Sequence, residues 1–294
     1  MFVFVSFILG ALALTGLNYW GLGLYRQWYW FWTIPLFAIM YWLAFFAGYI
    51  IILYIASIFI GRDKNKVYPP SRVAMWFIKE TAYIILKFLG VRVHFSGIGK
   101  LPSRSKPIVV MHNHLSMFDE FTLAAILRTP LLFITKPGNL NIPIAGAFMR
   151  KAGYIPIVQD DIADGTRVIA KAAELIKKGN NIVIAPEGTR NKDFPEPIML
   201  PFKAGSFHLA TDAKAPIALF ALQNTNAIIK RFPRYSTHVY VDCVGLIEPE
   251  EYENMSTSEL AAHCQNLIMR RLEQKKARFY HLKKKKDEEE ANPQ

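Results

Sequence analysis

The chain has 294 residues, 52% of them hydrophobic, with a formal net charge of +12 and only two cysteines. That length suffices for one sizeable core plus a membrane segment, and the basic balance favours anionic partners. Cys243 and Cys264 form no C-x-x-C pair, which argues against a disulfide framework or zinc site and fits a reducing compartment. No recognisable nucleic-acid motif accompanies the charge, so nucleic acid is not an expected partner.

Arg26 is the only charged residue before Arg62. About 20 apolar residues cross a bilayer core, so this stretch has room for two membrane helices. Between them lie Trp28, Tyr29, Trp30, Phe31 and Trp32, preceded by Tyr19, Trp20 and Tyr25, a concentration typical of an interfacial belt. Arg62, Lys64, Lys66 and Arg72 outnumber Arg26, so the positive-inside rule puts residue 62 onward in the cytoplasm, with the N-terminus on the same side. No basic region precedes the apolar run, and a cleaved signal peptide is not expected. Gly10, Gly16, Gly21 and Gly23 suit close helix packing but specify no depth, so spanning and single-leaflet insertion both fit.

Tyr68-Pro69-Pro70 breaks the chain and closes the anchor. The expected organisation is a membrane-anchoring helical hairpin over 1–66, a globular domain over 67–280 and a charged disordered tail over 281–294. Residues 72–89 read as a mostly apolar helix with Lys79, Glu80 and Lys87 on a narrow polar stripe. It either packs on the core or rests at the headgroup level. From 91 onward, short apolar runs alternate with helical stretches. Strands are predicted at 91–95, 108–111, 131–135, 154–158, 182–185, 217–222 and 238–244, and helices at 118–127, 142–151, 163–178, 204–212 and 257–279. Gly179 caps the helix at 163–178, and Ser256 with Glu259 opens the last helix as a capping box. The alternation predicts an α/β fold, a mostly parallel central sheet flanked by helices and preceded by the membrane-embedded pair. Lys283–Lys286 and Asp287–Glu290 offer too little apolar surface to fold.

Two polar turns carry the chemistry. The first follows the strand at 108–111 and reads His112-Asn113-His114, with Asp119 five positions beyond His114. With His114 in the turn and Asp119 in the first helical turn, the carboxylate can reach back to one imidazole nitrogen. That bond fixes the tautomer and leaves the other nitrogen to take a proton, the base and orienter of a catalytic triad without its serine. The bland reading is a turn histidine beside an acid that favours the helix dipole. A metal pair from His112 and His114 is a third reading, but the remaining histidines are scattered singly, without metal-motif spacing. The second turn follows the strand at 182–185 and reads Pro186-Glu187-Gly188-Thr189-Arg190. Gly188 permits an unusual backbone conformation, and Thr189 and Arg190 supply donors suited to phosphate. Both turns fall at what would be the carboxyl edge of one sheet, where α/β folds place ligands.

His114-x-x-x-x-Asp119 followed by Glu187-Gly188-Thr189-Arg190 resembles the 1-acylglycerol-3-phosphate O-acyltransferase family of glycerolipid acyltransferases, over roughly residues 91–244. Asn113, the stretch 153–158 and Phe202-Lys203-Ala204-Gly205-Ser206-Phe207 also fit. The resemblance implies transfer of a fatty acyl group from acyl-CoA or acyl-carrier protein to the free hydroxyl of a lysophospholipid at a membrane surface. It assigns His114 as base, Asp119 as its orienter, Asn113 or a backbone N–H as an oxyanion donor, and Glu187–Arg190 to the acceptor headgroup. It implies no metal and no cofactor beyond the acyl thioester co-substrate. The chain departs from the family at Gln159, where an arginine commonly helps hold the acceptor phosphate, and matches the last block loosely at Ala215-Pro216-Ile217-Ala218. Arg150, Lys136, Lys203 and Arg190 are the candidates to take over the phosphate; alternatively the acceptor is another lysophospholipid. Transacylation from phospholipid, metal-dependent hydrolysis and non-catalytic lipid binding are the remaining alternatives.

Overall fold

The computed structural model describes residues 2–26, 31–61, 63, 68–101, 106–159, 161–194 and 196–291. Trp28, Tyr29, Trp30, Arg62, Lys64 and Lys66, on which the interfacial belt and the charge asymmetry partly rest, lie outside them. The chain divides into two compact units, Met1–Ile84 with Gly138–Gly153, and Ile85–Pro137 with Tyr154–Gln294.

In the first unit, α1 (Phe2–Gly21) and α2 (Thr33–Phe59) are 20 and 27 residues long, each long and apolar enough to cross a membrane. Both expose large apolar side chains such as Leu17, Leu36, Ile52 and Phe59, which is the surface a bilayer covers and water does not favour. They pack on one another through Phe7, which stacks on Phe45 at 6.0 Å and meets the edge of Tyr49 at 5.7 Å. The next helix, α3 (Arg72–Phe88), begins in this unit. Its Glu80, on the narrow polar stripe read from the sequence, is buried and accepts the Val3 N–H at the start of α1 (3.1 Å). A carboxylate there satisfies a donor that the helix leaves unpaired. Tyr49 and Thr81 add a hydroxyl pair at 2.9 Å. The unit runs past the expected boundary at 66 and takes in α5 (Ala145–Ala152). The ring of Phe148 packs on Phe77 (5.6 Å), and the Arg150 guanidinium donates to the carbonyls of Gly61 and Leu140.

The second unit is built on seven strands: β1 (Val91–Ser96), β2 (Val109–His112), β3 (Leu131–Thr135), β4 (Ile155–Pro156), β5 (Asn181–Ile184), β6 (Ile217–Gln223) and β7 (Thr237–Ile247). Their order across the sheet is β1-β7-β6-β2-β5-β3-β4. Every neighbouring pair is parallel except β6 and β7. The stretch between those two holds only a 3₁₀ turn (Thr225–Ala227) and one short helix, α8 (Ile228–Arg231), and turns the chain straight back, whereas a parallel return needs a longer crossover. Parallel strands buried on both faces read as unbroken apolar runs. Accordingly Val109, Val110 and Met111 of β2, and Ile217 through Leu222 of β6, are almost wholly inaccessible.

The longer crossover helices are α4 (Phe118–Ile126) and α6 (Ile162–Lys177). Asp161 caps α6 by accepting the Asp164 N–H, and Gly179 closes its end with φ 86°. The helix predicted at 204–212 is a 3₁₀ turn (Ala204–Phe207) running into α7 (His208–Thr211). After β7 come α9 (Pro249–Tyr252) and α10 (Thr257–Ala291). α10 opens with the reciprocal Ser256–Glu259 capping box and buries Leu260, Cys264, Ile268 and Leu272. It does not stop at 279. The backbone stays helical through the segment expected as a disordered tail. There the sequence sets each of Lys283–Lys286 four positions before an Asp or Glu, a spacing that favours helix without a core.

Candidate active site

β2 lies in the middle of the sheet, between β5 and β6, so the turns that leave these strands share its carboxyl edge. The turn after β2 carries His114, whose Nδ1 is 2.8 Å from Oδ2 of Asp119, the second residue of α4. Asp119 is fully buried, and the same oxygen also accepts the N–H groups of Leu115 (2.7 Å) and Ser116 (2.9 Å). Its other oxygen, Oδ1, accepts the hydroxyl of Thr225, which follows β6. Four donors thus converge on this carboxylate, which fixes the imidazole it faces. With Nδ1–H donating to Asp119, Nε2 carries the lone pair, and the ring keeps 16% of its surface open.

The second turn is tied to the first through Glu187. Its Oε1 accepts the His114 N–H at 2.7 Å, its Oε2 accepts the Leu200 N–H at 3.0 Å, and Asn191 N–H donates to the His114 carbonyl at 2.8 Å. Burial pushes the Glu187 carboxyl up to about 7, against the pull of those hydrogen bonds. Burial also lowers the His114 pKa, but the Asp119 hydrogen bond and the charges of Glu120, Asp119 and Glu187 outweigh it and leave the imidazole above its ordinary value. Glu120 sets its Oε1 3.8 Å from His114 Nε2. Its own carboxyl is raised, by desolvation first and by the Asp119 charge beside it. His112 is buried, with Nδ1 donating to the Asn113 carbonyl at 2.8 Å; desolvation drives it down to about 4, so the ring is neutral at pH 7.

Residues 92–222 match the family described as Acyltransferase. A chloroplastic 1-acyl-sn-glycerol-3-phosphate acyltransferase of Brassica napus is 33% identical over 138 residues, which are 47% of this chain and 39% of that protein. The Saccharomyces cerevisiae enzyme of the same name is 28% identical, covering 67% of this chain and 64% of its own length. The alpha enzyme of Mus musculus is 27% identical over 75% of each chain. The chain thus spans well under half of the plant relative and just under two thirds of the yeast one. Its similarity to the acyltransferase family lies in residues 92–222. The crystal structure of the 1-acyl-sn-glycerophosphate (LPA) acyltransferase PlsC from Thermotoga maritima shares the fold, with a TM-score of 0.60 at 21% identity over 79% of this chain and 89% of that one.

The structure brings most of the residues singled out from the sequence to one edge, and gives two of them partners that the sequence did not suggest. The Asn113 side chain, the candidate oxyanion donor, has backbone partners of its own. It is fully buried and pairs with the Leu222 backbone, donating to the carbonyl (3.0 Å) and accepting the N–H (2.8 Å), as an added strand residue would. Glu187 faces backbone rather than a headgroup. Thr189 and Arg190 are exposed beside it, and Arg190 partly offsets the charge of Glu120. Gly188 adopts φ 71°, and Nζ of Lys203 lies 3.0 Å from where a Cβ at this position would sit. Gln159, the departure from the family pattern, donates its amide to the Gly188 carbonyl. Lys136 is exposed at the end of β3. Arg150 belongs to the first unit, its Nε and Nη1 already given to carbonyls. Sequence reasoning missed Glu120 and Thr225. Glu120 was adjacent to Asp119 in plain view, whereas Thr225 lies 106 residues from its partner and nothing local marks it.

Proposed function

We propose that this chain is a membrane-bound acyltransferase that moves a fatty acyl group from acyl-CoA or acyl-carrier protein to the free hydroxyl of lysophosphatidic acid, giving phosphatidic acid. The observation that carries the reading is the His114–Asp119 pair: a histidine fixed at Nδ1 by a buried anion, with Nε2 open. His114 Nε2 takes the proton of the acceptor hydroxyl as its oxygen attacks the thioester carbonyl. The tetrahedral intermediate collapses, the carbon–sulfur bond breaks, and the departing thiolate takes the proton from His114. Asp119 stabilises the imidazolium in between. Thioester donors are already activated and the acceptor supplies its own nucleophile, so these steps need neither a metal nor a covalent enzyme intermediate. Arg190 and Lys203, on either side of the Gly188 turn, supply the positive charge for the acceptor phosphate that the family draws from the position of Gln159. The relatives' names, which specify 1-acyl-sn-glycerol-3-phosphate, support that acceptor. The excess of cations after α2 supports a cytoplasmic catalytic unit.

The test is thiol release from palmitoyl-CoA by detergent-purified protein, with lysophosphatidate or lysophosphatidylcholine as acceptor. Release that requires lysophosphatidate supports the reading. Release only with the choline lipid assigns a different acceptor. His114→Ala is expected to lose at least about a hundredfold in rate with its unfolding midpoint unchanged; full activity in that variant sinks the mechanism.

A further inference from the structure

The catalytic unit carries an exposed surface that the transfer reaction does not use. Every residue from 229 to 236 is exposed, and the apolar ones are large: Ile229 is 59%, Phe232 36% and Tyr235 57% accessible. Phe88, at the end of α3 and itself 57% accessible, sets its ring 5.7 Å from that of Phe232 and extends the patch. Lys230, Arg231 and Arg234 are interleaved with these side chains, and the two guanidinium groups lie 5.7 and 5.8 Å from the Tyr235 ring centre. Between Asp212 and Asp242 the sequence contains no acidic residue at all. Three large apolar residues facing water call for a covering surface, and a neutral protein partner would not require three cations with no acid in the same stretch. Apolar tips with cations and a tyrosine around them match the headgroup region of an anionic bilayer.

We propose that segment 229–235, with Phe88, is a second membrane contact, borne by the catalytic unit itself, that docks on anionic lipid. Its position gives the contact a use. The segment leaves β6 through Thr225, whose hydroxyl holds Asp119, so it emerges at the sheet edge where His114 opens. Docking there presents that edge to the lipid from which a lysophospholipid would come. This last clause rests on the proposed function; the contact does not.

The test uses the full-length protein in nanodiscs of phosphatidylcholine and phosphatidylglycerol, with an environment-sensitive fluorophore on Phe232→Cys and, as control, on Glu253→Cys. Both native cysteines are buried and stay unlabelled. Doxyl-labelled lipid is expected to quench the label at 232 and to leave the one at 253 bright. The combined Lys230→Glu, Arg231→Glu and Arg234→Glu variant, or discs of phosphatidylcholine alone, should lose most of that quenching. No quenching at 232, including a label shielded from water yet untouched by the doxyl group, as under a protein partner, overturns the proposal. Quenching unaffected by the charge reversals overturns its anionic component. The readout does not involve turnover, so failure of the transfer assay and failure of docking are told apart.

Discussion

At the scale of single residues, the site is a histidine whose basicity is set from several directions at once. The sum of Asp119, Glu120 and Glu187 raises the His114 pKa against burial. A base must be neutral to act, so the rate falls as pH drops through that raised value. Glu120→Gln removes one of the raising charges, and the acid limb of kcat/KM is expected to move to lower pH. An unchanged limb would mean that His114 does not feel Glu120. Thr225 acts through Asp119 and is a positioning residue. Thr225→Val leaves Oδ1 one donor short, and a loss of about 1.4 kcal/mol in the transition state, roughly tenfold in kcat, is expected, with Thr225→Ser restoring it. His114 and Asp119 were legible in the sequence because a turn and one helical turn fix their separation. Thr225 was not, because its closeness to Asp119 is a property of the sheet order.

At the scale of elements, all seven predicted strands are present, since buried parallel strands announce themselves as apolar runs. What the runs do not encode is direction, and the antiparallel β6–β7 pair emerges only from the connection between them. The helical end of α10 was hidden for the opposite reason: a segment without apolar residues gives periodicity nothing to register. Glu187 looked like a ligand group in the sequence, and its role as a brace between two turns needed coordinates. The Gly188 turn carries its own prediction. Gly188→Ala places a Cβ at φ 71°, 2.9 Å from Cε of Lys203. The left-handed conformation costs about 1–2 kcal/mol for alanine, to be read as a lowered unfolding midpoint. Displacing Lys203 should raise KM for lysophosphatidate more than it lowers kcat. Lys203→Ala should raise that KM by about tenfold or more, the equivalent of one charge-assisted hydrogen bond.

At the scale of the whole molecule, α1 and α2 present apolar side chains over most of their surface, with only Ala11, Thr15, Tyr49 and Leu53 buried. Protein expressed in cells is therefore expected to stay with the membrane pellet after an alkaline carbonate wash. Its release into the supernatant would mean that these helices do not insert. The central place of β2 has a consequence in time. Synthesis begins with the apolar helices, yet the strand that leads into His114 gains its neighbours only when residues 181–184 and 217–223 have been made, and Asp119 gains its last donor only at Thr225. A nascent chain is thus tethered long before it is competent. Any product terminated between residues 119 and 225 carries the histidine and the aspartate but not the frame that makes them a pair.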